Sequence, residues 1–168
     1  LFGVGLGTVL MTLVFVIEFG LGWISVSGTV HTNRPHIVFW IPFLVFFVYI
    51  FCQALSEELL ARGYLFRNLA EGFALKKPGP RTASLPAWIL VSLVFGLGHL
   101  GNPEASVMAT INLILIGLTL GAGVYLTGRL AIPIGLHFGW NFVQANVFGF
   151  RLSGLSYPSE IVSLIRVK

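Results

Sequence analysis

Six side chains have types and spacings suited to chemistry: Glu57, Glu58 and Arg62 in QALSEELLARGYLFR, His99 in LVFGLGHLGN, and His137 and Asn141 in IPIGLHFGWNFVQANVF. All lie in or beside apolar runs, where ionisable groups are costly and by default suggest function. On a helix Glu58 and Arg62 are four apart, share a face and can pair as ions. Glu57 is turned about 100° from Glu58, so one carboxylate can hold the arginine while the other serves chemistry. A carboxylate and an imidazole can hold and deprotonate a water. A second imidazole and an amide N–H can stabilise the oxyanion that forms when this water attacks a carbonyl. These are the parts needed to hydrolyse an amide without a covalent intermediate.

Each group also has a purely structural reading. The acidic pair and Arg62 fit a charge cluster where a helix leaves the bilayer. His99 fits a packed, hydrogen-bonded histidine, with Phe95 four residues earlier on the same face and Gly96 and Gly98 allowing a backbone or a substrate to come close. His137 and Asn141, in register on one helical face, fit hydrogen-bonding glue between helices.

The surrounding chain favours a membrane setting. Its 168 residues are 56% hydrophobic and 10% charged, against about 25% charged in a soluble domain. This composition identifies an integral membrane protein, and the 15 phenylalanines suit helices that face lipid. The net charge of +4 comes from loop Lys and Arg and reads as a topology signal. No polar stretch interleaves basic and aromatic residues for stacking on bases, which argues against nucleic acid as a partner. The single cysteine, Cys52, excludes an internal disulfide and a cysteine metal cluster. It lies in the run IVFWIPFLVFFVYIFC and reads as a small buried thiol. The first residue is Leu1 rather than Met, so we expect the native N-terminus to lie upstream.

A spanning helix needs about 20 apolar residues. Five segments qualify approximately: residues 2–26, 37–64, 83–100, 105–126 and 130–150. Sustained strand-type alternation is missing, which argues against a barrel. The expected architecture is an all-α, polytopic bundle forming one membrane-embedded domain over residues 1–168. Glu18 reads as marking a helix end, with Trp23 near the interface. The polar link SGTVHTNRP reads as a loop, with His31 in it and His36 just after it as solvated loop histidines. The second helix is long, running through the acidic pair toward Ala70. Beyond it Lys76, Lys77 and Arg81 cluster at a helix-breaking Pro-Gly-Pro, and the positive-inside rule puts this loop in the cytoplasm. Arg129 returns the chain to that side, while Arg34 and Arg151 fall on the other. In the tail, SGLSYPSE reads as a loop, and IVSLIRV as the start of another helix or an interfacial piece.

Helices two and three should form an antiparallel hairpin, with Glu57 about as far before the turn as His99 lies after it. Glu57, His99, His137 and Asn141 would then converge in one dry cavity. His137 lies closer to its preceding loop than His99 does, so equal depth requires part of residues 71–83 to leave the bilayer before turning.

EELLAR at residues 57–62, FGLGH at 95–99 and HFGWN at 137–141 resemble the motifs EExxxR, FxxxH and HxxxN, in that order, of the CPBP family. These are the CAAX-processing and bacteriocin-processing enzymes, also called the Abi family, related to the type II CAAX prenyl endopeptidase. The likeness spans residues 38–150. It implies an intramembrane glutamic protease without an essential metal or other cofactor. Glu57 and His99 would activate water, His137 and Asn141 would form the oxyanion hole, and Glu58 and Arg62 would support the first motif. The implied substrate is a peptide or a lipidated protein at the membrane, and the implied setting is a multi-pass protein of the cell membrane, among lipids. Two other readings stand beside it. A zinc hydrolase would use Glu57, His99 and His137 as ligands. A non-enzymatic protein, whether a proton or ion relay or an immunity or scaffold factor, would use the same residues for conduction or packing.

Overall fold

The longest apolar run of the sequence becomes its longest helix. The computed structural model describes residues 1–75, 80–155 and 159–168. Among them five helices form in chain order: α1 (Phe2–Gly20), α2 (Trp40–Ala74), α3 (Pro80–Leu97), α4 (Val107–Thr127) and α5 (Ala131–Phe142). The helices α1, α2 and α4 are long and apolar enough to cross a membrane, with 19, 35 and 21 residues. At about 1.5 Å per residue even the shortest of these matches a hydrocarbon core of about 30 Å. The apolar part of α3, Thr82–Leu97, is shorter. α5 has 12 residues and is continued by a π-helical turn, Val143–Val147. A second π turn, Leu59–Leu65, interrupts α2. Local chemistry sets the ends of α4: the Ser106 side chain accepts from Ala109 N–H, and Gly128 closes the helix at φ +68°.

Contacts within the chain cluster into two compact units. One comprises Leu1–Ala54 and Gly135–Lys168, the other Leu55–Ile134. In the first, α1 and α5 run side by side through a seam of small residues. Gly7 abuts the backbone of Leu136 and Trp140, and Gly135 and Gly139 abut Gly3 and Val4. Both strips read Gly-x-x-x-Gly, the spacing that lets two helix backbones touch in an apolar environment. Further along, Phe15 stacks on Phe148 at 4.1 Å. The early turns of α2 meet α5 through edge-to-face aromatic pairs, Phe47 with Phe138 at 5.1 Å and Phe43 with Phe142 at 5.4 Å. In the second unit Ala61, Phe66, Ala87, Val91 and Val124 form the core shared by the later part of α2 with α3 and α4.

Three expectations are corrected. The polar link is a strand, β1 (Val26–Thr32), which pairs antiparallel with β2 (Val162–Val167) in the tail. The register pairs Val26 with Val167 and Thr32 with Val162, with an irregularity between Val26 and Gly28. The tail run is therefore a strand and not the start of another helix. Its β-branched residues satisfy their backbone groups against a distant segment. His31 consequently sits on a strand, where its Nε2 donates to Glu160 O at 3.2 Å, whereas His36 is exposed as expected. Third, Cys52 is exposed: the apolar character of its run reflects an outward-facing helix side rather than a buried one. Glu18 falls in the last turn of α1, in keeping with a helix end. The turn expected over residues 76–79 and the break at Pro158 lie outside the described residues.

Candidate active site

The first motif lies where α2 changes its winding. The π turn that begins at Leu59 follows directly on Glu58 and contains Arg62, and such turns often occur at functional positions. Glu58 is 0% exposed and Arg62 1%. Arg62 Nη1 donates to Glu58 Oε1 at 2.8 Å, and Nη2 donates to Gly117 O of α4 at 2.9 Å. The guanidinium also lies 4.5 Å from the centroid of the Phe95 ring on α3, close enough for attraction to the π face. One cation thus ties together α2, α3 and α4. The ion pair inferred from the spacing is present, and Glu58 rather than Glu57 accepts from Nη1. Glu57 is half-buried and within electrostatic reach of Arg62.

The second motif lies on α3 and the turn that follows it. His99 Nδ1 is 2.7 Å from Phe95 O. A carbonyl can only accept, so Nδ1 carries the hydrogen, and in the neutral ring Nε2 holds the lone pair. The imidazole packs beside Phe95, with ring centroids 5.0 Å apart. Phe95 therefore touches both Arg62 and His99 and links the first two motifs. Gly96 serves helix packing: a Cβ there would come within 2.9 Å of Ile114 N and 3.1 Å of Thr110 O on α4. Of the two visitors the glycine could admit, it is a backbone that occupies the space.

His137 and Asn141 belong to the other unit, on the α-helical part of α5. Each is 5% exposed. The Asn141 amide nitrogen, Nδ2, is buried without a hydrogen-bond partner among the described residues. A buried donor left unused is costly unless something else takes it. It therefore has the property required of a group that waits for an incoming oxyanion. Within neither unit do three His, Cys, Asp or Glu side chains gather at metal-ligand spacing, among the described residues.

The structure thus brings Glu58, Arg62, Phe95 and His99 together in one unit, with Glu57 on the same helix, and puts His137 and Asn141 one helical turn apart in the other. Reading the residues alone missed three things: Phe95 as the platform under Arg62, Gly117 O as an acceptor, and the π turns beside the first and third motifs. For Phe95 there was a signal, its place in the motif. The other two leave no mark on composition.

Comparison with known families shows that the chain matches the family described as Type II CAAX prenyl endopeptidase Rce1-like over residues 39–143, more than half its length. No curated protein and no solved structure matches it.

Proposed function

The chain belongs to the Rce1-like family of type II CAAX prenyl endopeptidases, and from that premise we propose that it is an intramembrane glutamic protease. It cleaves a peptide bond in a membrane-associated or lipidated peptide or protein. A CAAX substrate is a C-terminal Cys-aliphatic-aliphatic-X sequence prenylated on its cysteine, and such a substrate would reach the enzyme from the lipid of the cell membrane.

In this reading a water held by Glu57 and His99 gives up a proton to them as its oxygen attacks the scissile carbonyl carbon. His137 and Asn141 N–H groups stabilise the resulting oxyanion. The intermediate collapses with cleavage of the C–N bond, and the proton passes to the leaving amine. Glu58 and Arg62 carry no proton in this cycle and hold the first motif in place. The observation that carries the reading is the tethering of His99 through Nδ1 to Phe95 O, which leaves Nε2 as the basic nitrogen. The buried Asn141 Nδ2, without a hydrogen-bond partner among the described residues, supports the other half of the reaction.

The test uses purified protein in mixed micelles with a quenched fluorescent peptide ending in a farnesylated CAAX sequence, and its unlipidated counterpart. Cleavage of the farnesylated peptide should disappear in Glu57→Gln and in His99→Ala while both variants stay folded. Wild-type rates in either variant would remove the assigned roles. Cleavage abolished by 1,10-phenanthroline and restored by zinc would replace this mechanism with a zinc site on Glu57, His99 and His137.

A further inference from the structure

The family match ends at residue 143, yet the chain beyond it returns to the helix that carries His137 and Asn141. The π turn Val143–Val147 begins two residues after Asn141, and two of its side chains reach into the C-terminal segment. Asn146, 0% exposed, donates from Nδ2 to Val162 O of β2 at 3.1 Å. Gln144 accepts from Trp140 Nε1 at 2.8 Å and donates to Arg151 O at 2.6 Å. Strand β2 is in turn zipped to β1, and the backbone exchange between Ser25 and Lys168 extends the ladder beyond Val26. Gly149, at φ +71°, lets the chain after the π turn lie directly against Ile165 O and Ser163. These hydrogen-bonded ties on the end of α5 all involve residues beyond the matched region.

An oxyanion donor acts only if it is held where the charge develops, and small misplacements are expensive. We propose that Asn146 is a positioning residue for this reaction: by tying the π turn to β2, it fixes the last turn of α5 and so the direction of the Asn141 amide. The proposal rests on the oxyanion role given to Asn141 above. The residue touches no substrate and acts through its neighbour. It explains why a buried asparagine is placed in a helical turn, a position with no α-helical requirement for an amide.

The experiment is a double-mutant cycle on Asn141 and Asn146, using the farnesylated quenched peptide and full-length protein. Asn146→Ala should lower kcat by roughly 10-fold, less than loss of the donor itself, with KM within about twofold, because the lost interaction concerns the transition state. On an Asn141→Ala background the same substitution should cost less than about twofold, since residues acting as one unit are non-additive. A purely structural role would lower activity by the same factor on both backgrounds, and that result overturns the proposal. Should Asn146→Ala fold poorly, Asn146→Asp decides: its protonated form still offers a donor to Val162 O and its carboxylate form does not. The kcat ratio of Asn146→Asp to wild type should then rise as the pH is lowered, and a flat ratio overturns the proposal. Full activity in Asn141→Ala would instead defeat the oxyanion reading itself, a different outcome from an inert Asn146.

Discussion

Glu58→Gln isolates the charge of a buried pair while nearly keeping its shape. Arg62 is 1% exposed and its partner 0%, so neither ion can turn to water when the other is lost. In Glu58→Gln the guanidinium keeps neutral acceptors, the amide oxygen introduced at position 58 and Gly117 O, together with the face of Phe95 and the more distant Glu57, but it loses the charge of its buried partner; its Nε has no partner among the described residues. Unit charges about 4 Å apart at an effective dielectric near 20 attract by about 4 kcal/mol. Breaking one side of a buried pair typically costs about 3–5 kcal/mol. The cation–π contact, worth about 2 kcal/mol when desolvated, is already present in the wild type and cannot offset that loss. We therefore expect Glu58→Gln to destabilise the fold by about 3–5 kcal/mol, a 10²–10⁴-fold change in the folded-to-unfolded ratio at about 1.4 kcal/mol per decade. Replacing both partners, as in Glu58→Met with Arg62→Met, should cost less than either single change, because no lone charge stays buried. The assay is reversible unfolding in mixed micelles with the four proteins of the cycle. A loss below about 1 kcal/mol in Glu58→Gln, or additive losses in the double variant, would refute the view of Arg62 as a desolvated clamp.

Other outcomes follow from the same geometry. Asn141→Ala should reduce kcat about 10²–10³-fold yet leave the melting temperature nearly unchanged, since its Nδ2 makes no hydrogen bond among the described residues; kinetics and a melt on one preparation check both halves. Phe95→Leu keeps the apolar volume but removes the ring beneath Arg62 and beside His99, so unfolding measurements should show a loss of about 1–2 kcal/mol, with activity falling more than stability alone accounts for. Gly139→Ala puts a methyl 2.5 Å from Val4 O and should cost about 1–3 kcal/mol by overpacking, read from the same unfolding titration.

The parts of the site readable from the sequence were those governed by helical spacing. Glu58 and Arg62 pair because they are four apart, and Phe95 meets His99 for the same reason. The Glu58–Arg62 contact persists although Arg62 lies inside the π turn. What stayed hidden depends on contacts between distant segments. The pairing of β1 with β2 links residues more than a hundred positions apart, and neither strand has enough local pattern to declare itself. The exposure of Cys52 was misjudged because an apolar side chain has the same composition whether it faces a protein core or lipid. The place of Phe95 under a guanidinium follows from the third helix folding back on the second, which no single-helix pattern encodes. Asn146 escaped notice because the third motif ends at Asn141, and nothing in its local sequence hints that its amide will reach a strand sixteen positions on.

The glycine-on-glycine seam has a practical reach. Helix α1 lies wholly upstream of the family-matching stretch, but its small residues are the bed on which α5 rests. A chain trimmed to the recognisable region would strip that bed away and expose bare backbone along Gly135 and Gly139. Inactivity of such a fragment would report the loss of a mould, and would say nothing about the residues it was cut to preserve.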